Sequence, residues 1–369
     1  MGMSAEQHVL QLCHGYDAPF LDCARQYAVL FRETEYRVTT VYLTGSPDAA
    51  VEQGSASDEV IFLEHDSKSI RGLKLGAIRD IRRIAASRKF SFCIAHRSKP
   101  AYVALLGTRL PVINVHHAFG DYARRSRQLF ANLFRHRLWL LGVSDAVRDD
   151  IRRCLPGWPA HRIETLYNRI DVQALQREQL ERNASRIALG LPAEAWVVGN
   201  VGRLHPDKDQ TTLIRGFAHA LPSLPEGSLL AILGSGRLES KLRMLAADEG
   251  IADRVLFLGQ VPQARRYFKA FDVFALSSDH EPFGMVLLEA MAAGVPLICS
   301  DCGGGREVMG DAGWLFPLGD ASSLARCLTE AAVGLSASRE ERMASRLIRL
   351  FSDSSARSRF FGLIARWFG

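Results

Sequence analysis

Short apolar runs recur along the chain, each closed by polar or turn residues. Val9-Leu10-Gln11-Leu12 runs into His14-Gly15-Tyr16-Asp17, and the spacing predicts a strand, a loop and then a helix from about Pro19 to Leu30. Tyr36 to Thr44 is rich in β-branched residues and predicts a second strand, with a third at Val60 to Leu63. Residues 67–89 carry an apolar stripe (Ile70, Leu73, Ala77, Ile78, Ile81, Ile84, Ala85) among arginines and lysines, the pattern of a basic amphipathic helix. Phe92 to Ala95, Val112 to Val115 (ending at His116-His117) and Leu140 to Val143 (followed by Ser144-Asp145) predict three more strands. Strands alternating with helices at this spacing imply an α/β fold with a parallel, doubly wound sheet.

The pattern lapses at Glu164 to Asp171 and through the polar stretch from Val172 to Arg186, then restarts. Trp196 to Gly202, Leu229 to Leu233, Val255 to Leu258, Phe271 to Leu276 and Val295 to Ser300 predict a second set of strands, with a helix from about Thr211 to Leu221. A chain of 369 residues exceeds one ordinary core, so two domains are expected, 1–167 and 168–345. The tail 346–369 mixes arginine with Leu347, Phe360, Phe361, Ile364 and Trp367, and predicts a packed terminal helix returning to the first domain.

Composition narrows the class. Apolar content of 47% and charged content of 23% suit a soluble globular protein. No apolar run is long enough to span a bilayer, and Glu6, Gln7 and His8 stand where a signal peptide would place its basic and apolar regions, so a cytoplasmic location is expected. Seven scattered cysteines suit reduced thiols; Cys299-Ser300-Asp301-Cys302 lacks the second ligand pair that zinc requires. The net charge of +6 is uneven. Residues 1–60 hold three arginines against nine acids, whereas residues 61–160 hold nineteen Lys/Arg against seven. A basic patch of this kind suits an anionic surface. Nucleic acid is not the expected partner, because no aromatic residues are interleaved with the basic ones in 67–89.

Candidate chemistry concentrates in one stretch, Ser277 to Pro296. Pro282 and Gly284 precede an apolar run of good helix formers that Gly294 and Pro296 close. The helix start presents backbone N–H groups at Gly284, Met285 and Val286, an anion site. Glu281 lies in the loop and Glu289 one turn inside the helix, two acceptors for hydroxyl groups. Upstream, Arg203 and Lys208 share a loop after a strand, where a planar fork and a point charge could clamp a diphosphate. Gly234-Ser235-Gly236 lacks the third glycine of a dinucleotide fingerprint and allows close backbone approach instead. His116 and His117 end a strand where an open sheet places ligands; at least one of them is expected to be a satisfied structural histidine.

In these residues the chain resembles the retaining glycosyltransferases of glycosyltransferase family four. The resemblance rests on Val201-Gly202-Arg203-Leu204 with Lys208, Leu233-Gly234-Ser235-Gly236, Glu281-Pro282-Phe283-Gly284, Glu289 to Pro296, and Gly303-Gly304 with Glu307-Val308. It covers nearly all of the second domain and the first only in outline. It implies the GT-B architecture, two facing Rossmann-like domains with parallel sheets and a cleft between them. Arg203 and Lys208 would bind the donor diphosphate, with Gly234 nearby, and Glu289 would accept the ribose hydroxyls. Glu281 would hold the transferred sugar, assisted by the N–H groups of Phe283, Gly284 and Met285. His116 matches the strand-end histidine that contacts the donor, with His117 taking the role if the register slips by one. Of the glycine pair common after the first strand only Gly15 is present. Arg169 stands where the linker motif usually has glycine, so no left-handed backbone is expected there. No metal or other cofactor is implied.

The expected function is therefore transfer of a sugar from a nucleotide-sugar donor, UDP-sugar favoured, to an anionic glycolipid such as lipopolysaccharide core, at the inner-membrane surface. A nucleotide-sugar epimerase, a GT-B phosphorylase and a non-catalytic sugar-nucleotide-binding protein remain alternatives.

Overall fold

The computed structural model describes residues 7–17, 20–334 and 336–368; Pro19, the expected start of the first helix, and Gly369 lie outside them. The chain forms two compact units, Met1–Asn168 with Ala356–Gly369, and Arg169–Ser355.

The first unit is built on seven strands, β1 (Gln7–Cys13), β2 (Tyr36–Tyr42), β3 (Glu59–Phe62), β4 (Phe90–His96), β5 (Val112–His116), β6 (Leu138–Gly142) and β7 (Ile163–Thr165). They pair in parallel in the order β3-β2-β1-β4-β5-β6-β7. The second unit holds β8 (Val197–Val201), β9 (Leu229–Leu233), β10 (Val255–Gly259), β11 (Val273–Leu276), β12 (Leu297–Ser300) and β13 (Trp314–Phe316), also parallel, in the order β10-β9-β8-β11-β12-β13. Both are Rossmann-like sheets. Helices cover both faces, which is why β5, β6 and β9 are continuous buried apolar runs rather than alternating ones. In the second core, Leu213 and Phe217 of the helix Gln210–Ala220 join Leu230, Ile232, Leu324 and Leu328.

In each sheet one strand sits between connections that leave in opposite directions: β1 between β2 and β4, β8 between β9 and β11. At such a point the loops at the carboxyl ends diverge and leave a crevice. The loops after β1, β4, β8 and β11 are thus the ones the topology sets aside for ligands.

Three expected elements differ. The basic helix of 67–89 is helical only over Leu75–Ser87, because Gly72 and Lys74 adopt left-handed backbone (φ +57° and +53°) and Asp66 caps a turn at Lys68 and Ser69. Leu73, placed on the buried stripe by periodicity, is 66% exposed. The polar stretch 172–186 belongs to two helices, Val172–Glu178 and Arg182–Leu189. The terminal helix is two, Ala337–Phe351 and Asp353–Phe368, broken where extended Ser352 accepts the Ser355 N–H at 3.3 Å. The second of these packs into the first unit. Phe360 meets Phe31 edge-on at 5.5 Å, and the Trp367 indole donates to the His161 carbonyl. No helix among the described residues is long and apolar enough to cross a membrane.

Arg186 is 1% exposed, yet fully engaged. It donates to the carbonyls of Ala270, Pro192 and Ala193 and to the Asp272 carboxylate at 2.8 Å, and Asp272 in turn accepts the Val197 N–H at the start of β8. Arg186→Met would leave a half-buried carboxylate, with only Arg182 and the Val197 N–H, and three carbonyls short of donors. It should lower unfolding stability by about 3–5 kcal/mol, read from urea denaturation, and an unchanged midpoint would contradict the assignment.

Candidate functional site

In the second unit the loop after β8 and the loop after β11 are tied across the crevice. Lys208 Nζ donates to Glu281 Oε2 at 2.7 Å, with both side chains largely buried. The Ser277 hydroxyl donates to the Lys208 carbonyl at 2.9 Å, and the Asp279 N–H to the Asp207 carbonyl at 3.1 Å. On the far side, the loop is held by the Gly304 N–H on the Glu281 carbonyl and by the Ser300 hydroxyl and Cys302 thiol on the Ser278 carbonyl. Burial raises the Cys302 thiol above its usual value, so it is protonated and acts as a donor. Glu281 is thus fixed in backbone and side chain before any ligand arrives.

Gly284 follows at φ +97°, a conformation that L side chains rarely adopt, and immediately precedes the helix Met285–Ala292. The N–H groups of Met285 and Val286 lie in its first turn, where no helical carbonyl precedes them. Val286 and Glu289 are half-buried on this helix, whereas Phe283 is buried and meets Phe351 edge-on at 5.7 Å. The ring of Phe283 is therefore committed to packing.

Arg203 extends into solvent, 72% exposed, with a loose 3.4 Å contact to Asp207. Its backbone is not loose. The Leu204 N–H donates to the Ser235 carbonyl at 3.0 Å, and a Cβ at Gly234 (φ +139°) would lie 1.9 Å from the Gly202 carbonyl. Gly234 thus serves by letting the two loops touch. Asp207 faces Arg203, Lys208 and His205. Burial pushes its carboxyl up, but the His205 hydrogen bond and those cations hold it below its usual value.

In the first unit the two strand-end histidines part company. His116 has no exposed surface; its Nδ1 meets Asp121 Oδ2 at 2.7 Å and its Nε2 faces the Tyr122 hydroxyl at 3.5 Å. His116, expected to contact the donor, here has both nitrogens engaged within the unit and no accessible surface. His117 is half-buried and ends a chain of hydrogen bonds. Gln11 Oε1 lies 3.3 Å from His96 Nε2, His96 Nδ1 lies 3.1 Å from His117 Nε2, and His117 Nδ1 lies 3.6 Å from the Cys23 sulfur. Gln11 can only accept there, so His96 donates from Nε2, His117 donates from Nε2, and His117 Nδ1 accepts. Burial, then the neighbouring charges of His96 and Arg97, holds His117 well below the usual imidazole value, and burial lowers His96 to about 3.

Gly15 lies at the end of β1, and a Cβ there would meet the Thr44 hydroxyl at 2.8 Å. Beside it stand residues that sequence reasoning passed over, Arg97 and Lys99. Both depress His14 after burial does, and Arg97 takes left-handed backbone (φ +73°) directly after β4. The signal available was position: both follow the strand that flanks β1, which only the strand order reveals. Asp121, which joins His116, Ser98 and Arg127, was missed as well. Among the described residues no group of His, Cys, Asp and Glu is arranged to hold a metal ion.

Residues 181–355 match the family model described as Glycosyl transferases group 1, which covers almost all of the second unit. By sequence, the second unit is similar to the group 1 glycosyltransferases. One similar curated protein is the lipopolysaccharide core biosynthesis glycosyltransferase LpsE of Rhizobium meliloti, 38% identical over 39% of this chain and 42% of its own length. The chain thus spans under half of that relative. Among solved structures, a glycosyltransferase of Rickettsia africae superposes with a TM-score of 0.83 at 13% identity, over 98% of this chain and 99% of its own. Anabaena HepE, in complex with UDP and glucose, superposes with a TM-score of 0.77 at 20% identity, over 97% and 99%. At such identities these neighbours establish the fold, the α/β GT-B class.

The depressed pKa values of His96 and His117 should give the first unit a pH dependence. A neutral buried histidine has a folded pKa below its unfolded value of about 6.5, so the folded state binds fewer protons and stability is lost as pH falls below that value. Each such histidine should contribute a slope of up to about 1.4 kcal/mol per pH unit. Denaturation between about pH 7 and pH 5 should show it, and His96→Asn should flatten it. An unaltered slope in that variant would assign the dependence elsewhere.

Proposed function

We propose that the protein transfers a sugar from a nucleotide-sugar donor to an anionic, membrane-borne glycolipid acceptor, with retention of anomeric configuration and without a metal ion. The observation that carries this reading is the Lys208–Glu281 pair across the β8/β11 crevice, beside the start of the helix Met285–Ala292. Lys208 and exposed Arg203 supply cations for a diphosphate, and the first-turn N–H groups add partial positive charge at the same end. Those groups stand in for the divalent cation other transferases use. Glu281 holds hydroxyls of the transferred sugar and Glu289 those of the ribose. In the proposed step the acceptor oxygen bonds to the anomeric carbon as its bond to the diphosphate oxygen breaks. The electron pair leaves with the diphosphate, which also takes the acceptor proton. The imidazole role passes from His116 to His117, which has exposed surface. A UDP-sugar is the favoured donor and lipopolysaccharide core the favoured acceptor, in keeping with the names of HepE's ligand and of LpsE. The protein would work in the cytoplasm, at the inner face of the inner membrane.

The surface of the first unit supports the membrane reading. Leu73, Leu75, Leu129 and Leu133 are 66–71% exposed, and exposed Arg71, Arg79, Arg82, Arg124 and Arg125 lie on the same segments. Large apolar side chains set among cations complement an anionic bilayer.

Two measurements test the proposal. UDP-, GDP- and ADP-sugars should be screened by thermal shift, one raising the unfolding temperature with the logarithm of its excess over Kd. Glu289→Ala should weaken nucleotide binding roughly tenfold or more, whereas Glu281→Gln should keep nucleoside diphosphate binding and lose transfer. If both variants lost diphosphate binding equally, the division of roles would be wrong; donor consumption without acceptor would instead favour an epimerase. For the surface, the protein should co-sediment with anionic vesicles at low salt and be released as salt shortens the screening length. Leu73→Ser with Leu129→Ser should weaken co-sedimentation, and binding indifferent to both salt and substitution would refute the docking surface.

A further inference from the structure

Apart from the crevice residues, the first unit contains a cavity of about 370 Å³. It lies among the residue preceding the helix Leu75–Ser87, the helix Ser98–Gly107, β5 and the helix Arg125–Leu133. Its floor is apolar, from Leu105, Ala131 and Leu138, all buried. One wall is aromatic: the Tyr102 and Phe130 rings stack at 4.9 Å and 29°. The charged lining residues are Lys74, Lys99 and Arg127, with no carboxylate among them.

The three cations are not equivalent. Arg127 is committed to Asp121, at 3.1 Å. Lys74 and Lys99 have no ion pair among the described residues. Lys74 is half-buried, held in left-handed backbone, donating to the Gly72 carbonyl at 2.7 Å and lying 4.5 Å over the Tyr102 ring. Burial, and then the charge of Lys99, depresses its ammonium below the usual value. Non-glycine residues in this conformation cost free energy and cluster where geometry serves a ligand. An anion at the mouth would relieve both the repulsion and the desolvation.

A second demand comes from deeper inside. Asn114 is 2% exposed, lines the cavity and leaves Oδ1 without a partner, while its side chain also meets the Tyr122 hydroxyl. A buried acceptor left unpaired is costly, so the natural occupant should bring an O–H or N–H. An aliphatic chain satisfies neither Asn114 nor the lysines, and inorganic phosphate at the mouth reaches no buried acceptor. A sugar ring satisfies all three features: an apolar face against Tyr102 and Phe130, a hydroxyl for Asn114, and a phosphate for Lys74 and Lys99. The volume lies within the range of small-molecule sites and holds one or two such rings.

We infer that this cavity binds a phosphorylated saccharide, its phosphate on Lys74 and Lys99 and its ring over the Tyr102–Phe130 pair. The inference deepens the transferase reading and rests on it for one point only, that the occupant is the acceptor. The same chemistry is offered by a soluble sugar phosphate and by the phosphorylated head of a glycolipid, and the exposed leucines on the adjoining segments favour the second.

Binding can be measured without turnover. The probes are glucose 6-phosphate, glucose and inorganic phosphate, followed by ligand-observed NMR on the full chain, and phosphorylated lipopolysaccharide in micelles with and without prior phosphatase treatment. Glucose 6-phosphate should bind more tightly than either glucose or phosphate. Lys99→Ala, at an exposed position that leaves folding intact, and Lys74→Ala should each weaken it roughly tenfold. Phe130→Ala should weaken glucose 6-phosphate and leave the UDP thermal shift unchanged. Micellar lipopolysaccharide that binds more tightly than glucose 6-phosphate, and loses that margin after phosphatase, identifies the lipid-borne source; equal affinities identify the soluble one. Absence of glucose 6-phosphate binding, or binding indifferent to both lysines, overturns the inference. If the UDP shift persists in that case, only the cavity assignment falls. If instead glucose 6-phosphate binds and no nucleotide does, the donor reading falls and the cavity stands.

Discussion

The second unit depends on one ion pair placed where the sheet divides its loops. Strands β8 and β11 are neighbours, but the chain leaves them in opposite directions, so nothing in the sheet itself holds the loops beyond them together. Lys208 and Glu281 do so at 2.7 Å, with backbone hydrogen bonds on either side. The attraction at this distance is several kcal/mol at an effective dielectric of about 20, and desolvation of both groups cancels much of it. The pair is therefore a weak source of stability and a strong source of geometry. It keeps a cation and a carboxylate at fixed positions while neutralising both. A diphosphate that takes Lys208 must leave Glu281 another set of donors, and sugar hydroxyls are such a set. On the proposed function, phosphate and sugar would each make the other's binding less costly.

The first unit solves the burial of polar groups differently. Its central residues, Gln11, His96, His117 and Cys23, are linked as neutral donors and acceptors, so none needs a counter-charge. Asp121, a half-buried carboxylate, is surrounded by His116, Ser98 and Arg127. Burial raises its pKa, but hydrogen bonds from His116 and Ser98 and the charge of Arg127 bring it below the usual value. His116 is thus the back of a network whose front, Ser98, Tyr122 and Arg127, faces the cavity.

Legibility in the sequence followed how each site is assembled. In the second unit the chemistry sits on two contiguous segments, Gly202 to Lys208 and Glu281 to Glu289, and much of it is backbone: a left-handed Gly284, a helix start, a glycine at 234 that lets loops touch. Residue spacing encodes such features directly. In the first unit, Lys74, Lys99, Asn114 and Arg127 meet only through the order of strands, which no local pattern states. Which of His116 and His117 keeps accessible surface was equally hidden. Strand alternation separates their faces, but in a parallel sheet covered on both sides it does not say which face keeps solvent. The basic helix was misjudged for a local reason: a 3.6-residue period ran through Leu73 and Lys74, while left-handed Gly72 and Lys74 stopped the helix short of them.

That contrast bears on what each unit is free to change. A site made of backbone N–H groups, tight glycines and one ion pair cannot alter a group without altering the loop that carries it, so its ligand chemistry is tied to the fold. A cavity walled by side chains from five separate segments can exchange Lys74, Tyr102 or Phe130 without disturbing a single strand register, because none of them lies on a strand. Burial shows the same division. Glu281 is 8% exposed and locked on both sides, whereas Lys99 and the leucines on the segments adjoining the cavity, Leu73, Leu75, Leu129 and Leu133, stand in solvent. On the proposed function, a transferase needs one constant partner, the donor, and one particular partner, the acceptor; the first would then be met by backbone in the second unit and the second by replaceable side chains in the first.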